Sequence, residues 1–599
     1  MKQRPVMAVA TRRHFALIHS SAAACCMLTA GTGMAMAGAA TPAPAGVPKA
    51  TSAPSQAGHW GNAQKLAGLG KLNANDAQVT AVSCAAPGNC AAGGNYEDAA
   101  KQAHAFVAGE KGGRWGKAIQ VAMPGSAMTS QIDSVSCGSP ANCEAAGSFT
   151  DSGSHWHVFV VAEVNGSWGT ASEVPGVATL TGTEMFSDSG LVSCASAGNC
   201  AIGGSYLTAP GFGYVFVADE RNGVWGTAQQ LPGITDLHQT GFANINSVSC
   251  ASPGNCAAAG KYFDARFNGQ AFVVDEKAGT WGRAQPVPEM SMLRAVSSTA
   301  ESVSCASAGN CTVAGHYTDD RNKTQAFIDD ESGGTWGSPQ QVPGTGALNV
   351  SGAADVTSLS CGAPGNCATI GFYTDSRGNR HVFEADEKHG TWRAARTLAG
   401  TGPLDFFETG GVSCPTTGNC VATGIATTES GSRIIEHAVV VREINGSWGK
   451  ARELPGSAAL NTGGDAAVLS VSCASAGNCA AGGWYTDKAG REQAMVADES
   501  AVTATGLALS AAKVKFGHEQ AERLTVTVTP RTGGTPGGKV TVTANQHAAC
   551  VVTLAGGKGS CTLAAKKLNP GRYTLTGHYA GGGAYDGSAS AAKTLTITE

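Results

Sequence analysis

The most reactive side chains in this 599-residue chain are its twenty cysteines, and sixteen of them recur as eight pairs with six-residue spacing. The pairs are Cys84/Cys90, Cys137/Cys143, Cys194/Cys200, Cys250/Cys256, Cys305/Cys311, Cys361/Cys367, Cys414/Cys420 and Cys473/Cys479. Most read Val-Ser-Cys, then a Pro/Gly/Asn-rich turn, then Cys-Ala. Paired cysteines can hold zinc or form disulfides. Five intervening residues and no accompanying His disfavour zinc, whereas two positions facing each other across a tight hairpin fall within bridging distance. Eight short staples are expected, each contributing about 2 kcal/mol by restricting the unfolded chain. Each is expected to serve its own hairpin and to join no copy to the next. Cys550 and Cys561 are expected to add a ninth bridge across a hairpin.

Other reactive combinations fail on their context. Acidic pairs such as Asp275/Glu276 and Asp386/Glu387 could serve as glycosidase carboxylates, but they recur at one position of a repeat and read as turn residues. Residues 533–540 imitate a phosphate loop up to Lys539, yet Val540 replaces the metal-binding hydroxyl and a strand follows where a helix is required. No His-Glu-x-x-His and no nucleophile elbow occurs in suitable context. The expectation is therefore no catalytic residue, no metal and no cofactor.

The pairs recur at intervals of 53 to 59 residues, so one supersecondary unit is copied along the chain. After its second Cys each copy has a small Gly-rich strand ending in an aromatic, a polar turn, an apolar strand such as 215–218, a turn such as Asn222-Gly223, and a strand opening with Trp-Gly. Asn-Gly between apolar runs is a strong hairpin signal, so each copy reads as a four-stranded antiparallel blade. Only seven copies carry their closing Trp: 115, 168, 225, 281, 336, 392 and 448. The eighth copy stops near Ser500 without one, and His59-Trp60-Gly61 supplies the matching sequence from the other end of the chain. The expected fold is all-β: an eight-bladed β-propeller over 59–500, closed by an N-terminal strand as propellers close, then a β-sandwich over 501–599. Charged residues at 14% and 82 glycines suit a turn-rich β protein.

Function is sought where copies differ. Strand order places the fourth-to-first and second-to-third connections at one end of every blade, and these vary in length and content. They carry the ligand-binding candidates Phe186, Asp188, His238, Phe242, Asp405, Phe406, Phe407 and Glu408, together with Met290, Met292 and Tyr-x-Asp turns at Asp264, Asp319, Asp375 and Asp487. Aromatic and carboxylate side chains on a variable surface suit a glycan or an extracellular protein as partner. A non-catalytic binding protein is the first expectation; a glycan hydrolase or lyase is the alternative.

The N-terminus assigns the compartment. Lys2, Arg4, Arg12 and Arg13 precede an Ala-rich stretch ending at Ala35-Met36-Ala37, which reads as an export signal over 1–37, and residues 38–58 read as a Pro/Ala-rich spacer. The signal takes four positive charges from a chain already at −4, so nucleic acid is not an expected partner. No later run has the length of a membrane span. A secreted monomer is expected.

Three resemblances add to this. Thr11-Arg12-Arg13-His14-Phe15 resembles a twin-arginine signal. Thr-Val-Thr-Pro at 527–530, Gly534-Thr535-Pro536-Gly537-Gly538-Lys539 and Leu568-Asn569-Pro570-Gly571-Arg572-Tyr573, with Tyr579 and Tyr585, resemble the bacterial Ig-like domains of group 3, which implies a spacer or adhesive module without catalytic residues. Asp330-Glu331-Ser332-Gly333-Gly334-Thr335-Trp336 looks like the Asp-box of sialidase-type propellers, degenerate in the other copies; the box is a structural hairpin in that family, and the Arg-Ile-Pro type motif of its catalytic arginine is absent. As a whole the chain resembles secreted, actinobacterial-type β-propeller repeat proteins.

Overall fold

A computed structural model describes residues 58–599 apart from 126, 154, 182–189, 209–211, 238–240, 402–408, 431–432, 532–534 and 583. The expected export signal and all of the spacer except Gly58 lie outside the described residues. Eight antiparallel sheets occupy the part up to Ala501, each with its strands in sequential order. Sheets 1 to 8 are numbered here by their first strands: Ala77–Ala86, Thr129–Ser139, Leu191–Ser196, Ala243–Ser252, Ala295–Ser307, Asp355–Ala363, Thr409–Thr416 and Ala466–Ser475. In sheet 8 the fourth strand comes from the chain's start. Gly58–Trp60 pairs with Glu492–Ala501, placing Trp60 opposite Glu499, and Gln64–Lys65 continues along the same strand.

Each first strand packs against the next, and the series returns from sheet 8 to sheet 1. The Val-Ser-Cys motif carries this contact. The N–H of each first-strand Cys donates to the hydroxyl of the Ser preceding the Cys of the previous sheet, from Cys137 to Ser83 through Cys473 to Ser413 and finally Cys84 to Ser472. All eight bonds measure 2.8–3.0 Å. Each satisfies a backbone donor that the packed first strands hide from solvent.

The glycines of the second strand have an equally local cause. Seven of the eight first strands bulge four residues before their Cys, as at Asn246 and Glu301, and a carbonyl just before the bulge approaches a second-strand Gly. A Cβ on Gly260 would sit 1.9 Å from Asn244 O, and one on Gly315 2.1 Å from Thr299 O. The same glycines face the largest core side chains of the third strand: Gly260 is opposite Phe272, Gly315 opposite Phe327 and Gly371 opposite Phe383. These phenylalanines are fully buried. The bulge and the bulky ring both need the space that Gly leaves.

The fourth strand is broken where a continuous one was expected. In sheet 3 it forms Val224–Trp225 and Gln229–Gln230, both paired with Phe212–Arg221, and Gly226 N–H bonds Asp219 O between them. The hairpin before it has the expected primed geometry, with φ 51° at Asn222 and 79° at Gly223. A short helix, Ile234–Leu237, follows the Pro-Gly step.

Residues beyond Ala501 form two facing sheets. One contains Thr503–Leu509, Arg523–Pro530 and Lys558–Thr562; the other contains Lys513–Lys515, Lys593–Thr598, Gly571–Tyr579, Lys539–Ala544 and His547–Thr553. Leu524, Val526, Val540, Val542, Leu575 and Leu595 fill the space between them. The closing strand meets this sandwich directly: Ala501 and Asp586 exchange backbone contacts with their neighbours there, and His59 Nδ1 lies 2.6 Å from Asp586 Oδ2.

Nine cysteine pairs stand at disulfide distance. Cys84–Cys90, Cys137–Cys143, Cys194–Cys200, Cys250–Cys256, Cys305–Cys311, Cys361–Cys367, Cys414–Cys420 and Cys473–Cys479 have Cα atoms 3.9–4.1 Å apart, each pair joining the first and second strands of one sheet. Each bridge stays within its own sheet, as expected, but one of its two sulfurs also packs against a neighbour. Cys90, Cys143, Cys200, Cys256, Cys311, Cys367, Cys420 and Cys479 are buried, with 3–6% exposure, whereas most of their first-strand partners are half-buried. Cys90 packs in one apolar cluster with Ala480 and Val496 of sheet 8, Cys143 with Ala91 and Val107 of sheet 1, Cys311 with Ala257 and Val273 of sheet 4, and Cys367 with Ala314 and Ala326 of sheet 5. The second sulfur of each bridge is therefore part of the core between sheets as well as a staple within one. Alternation along the second strand is the cause, since it turns this cysteine towards the preceding sheet.

The ninth bridge departs from the expected placement altogether. Cys550 pairs across its strand with Val542, Cys561 pairs with Leu524, and the two strands belong to different sheets. The 550–561 bridge therefore ties the sandwich together; it does not staple a hairpin, because the chain turns from one sheet to the other between the two cysteines.

Candidate functional site

The two ends of the repeated sheets differ in how their polar groups are used. At the disulfide end, Glu110, Glu163, Glu220, Glu276, Glu331, Glu387, Glu443 and Glu499 each face the Trp of the same sheet across the third and fourth strands. All eight carboxyls are buried, with 3–6% residue exposure. Burial pushes Glu110 and Glu443 up to about 8, and Glu276, Glu331, Glu387 and Glu499 up to about 7. Removing the charged form from water is the cause in each case.

The aspartate before these glutamates holds the neighbouring sheet. Trp281 Nε1 donates to Asp219 at 3.0 Å, Trp336 to Asp275 at 3.2 Å, Trp392 to Asp330 at 3.0 Å, Trp448 to Asp386 at 2.9 Å, and Trp115 to Asp498 at 2.9 Å. Where the repeat lacks this Asp the bond changes. Gly109 and Arg442 occupy the position before Trp168 and Trp60, and those two indole N–H groups have no hydrogen-bond partner among the described residues. Ala162 occupies it before Trp225, and Glu144, directly across the ladder from Ala162, accepts that indole at 3.4 Å instead. Asp275 and Asp386 are thus engaged in holding sheets to one another, while Glu276 and Glu387 are buried against the Trp hairpin of their own sheet.

The disulfide turns are clipped to the Trp hairpins as well. Asn255 Oδ1 accepts the Ala278 N–H, its Nδ2 donates to Ser252 Oγ and Pro253 O, and Gly279 N–H bonds Gly254 O at 2.8 Å. Clefts remain between successive sheets at this end. The one between sheets 3 and 4 has about 320 Å³ and is walled by Glu220, Arg221, Glu276 and the two disulfide turns. Similar clefts of about 370 and 270 Å³ lie between sheets 2 and 3 and between sheets 6 and 7.

The opposite, variable end is built differently. Asp98, Asp151, Asp264, Asp319, Asp375 and Asp487 each accept two backbone N–H groups of their own turn through Oδ1, from the second and fourth residues onward. The Tyr-x-Asp aspartates, offered by sequence as ligand groups, are turn formers here. The backbone N–H of His155 is the largest of the bonds holding Asp151 well below the usual carboxylate range, and the His381 side chain does the same for Asp375. Arg491 is spent on Asp487 Oδ2 at 2.8 Å.

Among polar turn residues this end also exposes several large apolar side chains. Phe242 is 44% exposed and Phe212, across the adjoining loop, 41%. The two loops are joined by a bond from Gly213 N–H to Gly241 O, and a Cβ on Gly213 would come within 3.0 Å of the Phe242 ring. Phe267 and Met292, in the connections around sheets 4 and 5, are 71% and 70% exposed. Met290 turns into the core instead. Of the sequence candidates Phe242 alone can be placed; Phe186, Asp188, His238, Asp405, Phe406, Phe407 and Glu408 lie outside the described residues. Phe212 and Phe267 were missed. Their signal was available: Phe267 interrupts a polar second-to-third-strand turn, and Phe212 opens the third strand just after such a turn, as Trp156 does in sheet 2.

Residues 507–598 match the family model of the bacterial Ig-like domain (group 3), and this part of the chain is such a domain. No curated protein sequence matches the chain. Among solved structures, a Hadza microbial sialidase, Hz136, is similar at 11% identity and a TM-score of 0.30; the match covers 53% of this chain and 65% of the sialidase, short of two thirds of its length. An ulvan lyase described as a new family of polysaccharide lyase is similar at 9% identity and a TM-score of 0.38, covering 67% of this chain and 97% of that one. An acylaminoacyl peptidase of Pyrococcus horikoshii is similar at 10% identity and a TM-score of 0.35, covering 63% and 52%.

Proposed function

We propose that residues 59–500 form one eight-bladed β-propeller closed by the strand of Trp60, and that the protein is exported and works outside the cell as a non-catalytic binding module. The ligand site is assigned to the variable end, and its ligand to the glycans or proteins met there, with the domain over 501–599 serving as spacer or adhesive partner. Residues 1–37 are the export signal in this reading, and the nine cysteine pairs suit an oxidising destination.

The observation that carries the reading is the contrast between the ends. At the disulfide end the repeated aspartates and asparagines, and most of the indoles, bond sheet to sheet or hairpin to hairpin. At the variable end Phe212, Phe242, Phe267 and Met292 stand in water, where exposed aromatic surface marks a recognition site.

A glycan array and a panel of extracellular proteins, run beside a glycosidase and lyase screen, tests this. Binding without turnover is expected. Phe212→Ser with Phe242→Ser, and separately Asp405→Ala with Phe406→Ala and Phe407→Ala, should weaken that binding at unchanged thermal stability, while Asn255→Ala should lower stability alone. Turnover lost on a single carboxylate substitution would establish the hydrolase or lyase alternative. Binding lost only through the disulfide-end clefts would put the site at the wrong end.

A further inference from the structure

One cluster of side chains departs from the repeat by bringing two carboxylates and an imidazole together across two sheets. Glu301 is the bulged residue of sheet 5's first strand, His316 lies on its second strand, and Asp355 opens the first strand of sheet 6. Their ligand-type atoms all lie within 4.8 Å of one another. His316 Nδ1 is 3.1 Å from Asp355 Oδ2 and 3.5 Å from Glu301 Oε1. All three side chains are largely buried, at 17–26% exposure, and neither His316 Nδ1 nor Asp355 Oδ1 makes an aligned hydrogen bond.

Equivalent positions hold Thr80 and Asn95 in sheet 1 and Gln131 in the first strand of sheet 2. Those are ordinary hydrogen-bonding groups. Thr80 donates to Ile132 O of the next sheet at 2.6 Å, and Gln131 donates to Asp133 at 2.7 Å. Sheet 5 and its neighbour replace that neutral set with two carboxylates and an imidazole, which costs desolvation unless a positive charge is shared among them. Two ligands about 2.1 Å from one tetrahedral ion stand roughly 3.4 Å apart, close to the spacing seen between His316 Nδ1 and the two carboxylates.

We propose that Glu301, His316 and Asp355 form a site for one divalent cation of the zinc type, taken by Nδ1 of His316 and one oxygen of each acid. Imidazole selects such a metal over calcium or magnesium. Three protein ligands leave one position of a tetrahedral ion to water or an external ligand. Two carboxylates balance the ion's charge, with His316 neutral. Lys261, at the position equivalent to His316 in sheet 4, is the other cation felt by Glu301 and His316; its ammonium lies 5.6 Å from the Phe263 ring centre. The contrasting arrangement is an imidazolium held between two acids with no metal. The inference is independent of what the variable end binds.

The test uses tag-free, full-length secreted protein, stripped with a chelator and titrated calorimetrically with zinc at neutral pH, with cobalt(II) absorption as a second readout. The comparison chain carries Glu301→Thr, His316→Asn and Asp355→Gln, which installs the residue set of sheets 1 and 2 that this fold already accommodates. One zinc per chain, a visible cobalt spectrum, and affinity reduced by more than about tenfold in the variant are expected. No binding, or binding equal in the two chains, would overturn the proposal in favour of the ion-paired imidazolium. Equal circular dichroism of the two chains excludes misfolding as the cause of a difference.

Discussion

At the scale of single residues, this chain uses its charged and aromatic side chains mainly as fasteners between copies. Trp281 and Trp168 occupy the same repeat position, but the first donates to Asp219 at 3.0 Å and the second has no partner among the described residues. Trp281→Phe should therefore cost about 1–3 kcal/mol beyond the loss of ring area, because Asp219 is left without its donor. Trp168→Phe should cost only the ring area. Denaturant midpoints of the two variants measure the difference, and equal losses would contradict the fastening role of the aspartate. The sequence shows which copies lack the aspartate, since Gly109, Ala162 and Arg442 can be read directly. It does not show that Glu144 makes up for Ala162, because that depends on which residue stands across the ladder.

At the scale of elements, the bulge in the first strand and the glycine facing it act as one device, as in sheets 4 and 5. Gly315→Ala should cost about 2 kcal/mol or more, since the new Cβ would meet Thr299 O at 2.1 Å and neither backbone can retreat from a packed sheet. Gly70, with nothing within 4 Å of a Cβ and an ordinary φ, should accept Ala at little cost, and thermal melts of the pair decide the matter. Strands, hairpins, short cysteine bridges and the stray strand at Trp60 were legible because each is written in local sequence and copied. The break in the fourth strand at Gly226 was not, although it recurs in every copy, because a Trp-Gly step reads as continuous strand; nor was the sheet-to-sheet course of the 550–561 bridge, which depends on partners outside the repeat. The packing of Cys90, Cys143, Cys311 and Cys367 against the preceding sheet was missed for the same reason. The site was least legible. Glu301, His316 and Asp355 come from three strands with no motif spacing, and most of the variable-end candidates fall on residues the structure does not describe.

At the scale of the whole molecule, the buried glutamates give stability a direction in pH. Their folded pKa values are raised, to about 7 or 8 in six of them, so between their unfolded value and that range the folded state holds more protons than the unfolded one. Stability therefore falls as pH rises through this window. The turn aspartates, with lowered values, act the other way and lose their contribution only under stronger acid. The melting temperature should be several degrees higher at pH 5 than at pH 8, and a flat or rising profile would contradict the burial of the glutamates. Ring closure is the claim on which every larger reading rests. Val82 and Cys84 of sheet 1 donate to Ser470 and Ser472 of sheet 8, and Trp60 lies opposite Glu499, so the first and last copies depend on a strand only a few residues long. The most direct measurement compares the melting temperature of the mature protein lacking residues 59–68 with that of the protein lacking 39–55. A large loss of stability on the first deletion and almost none on the second is predicted; equal behaviour of the two would contradict the closed ring.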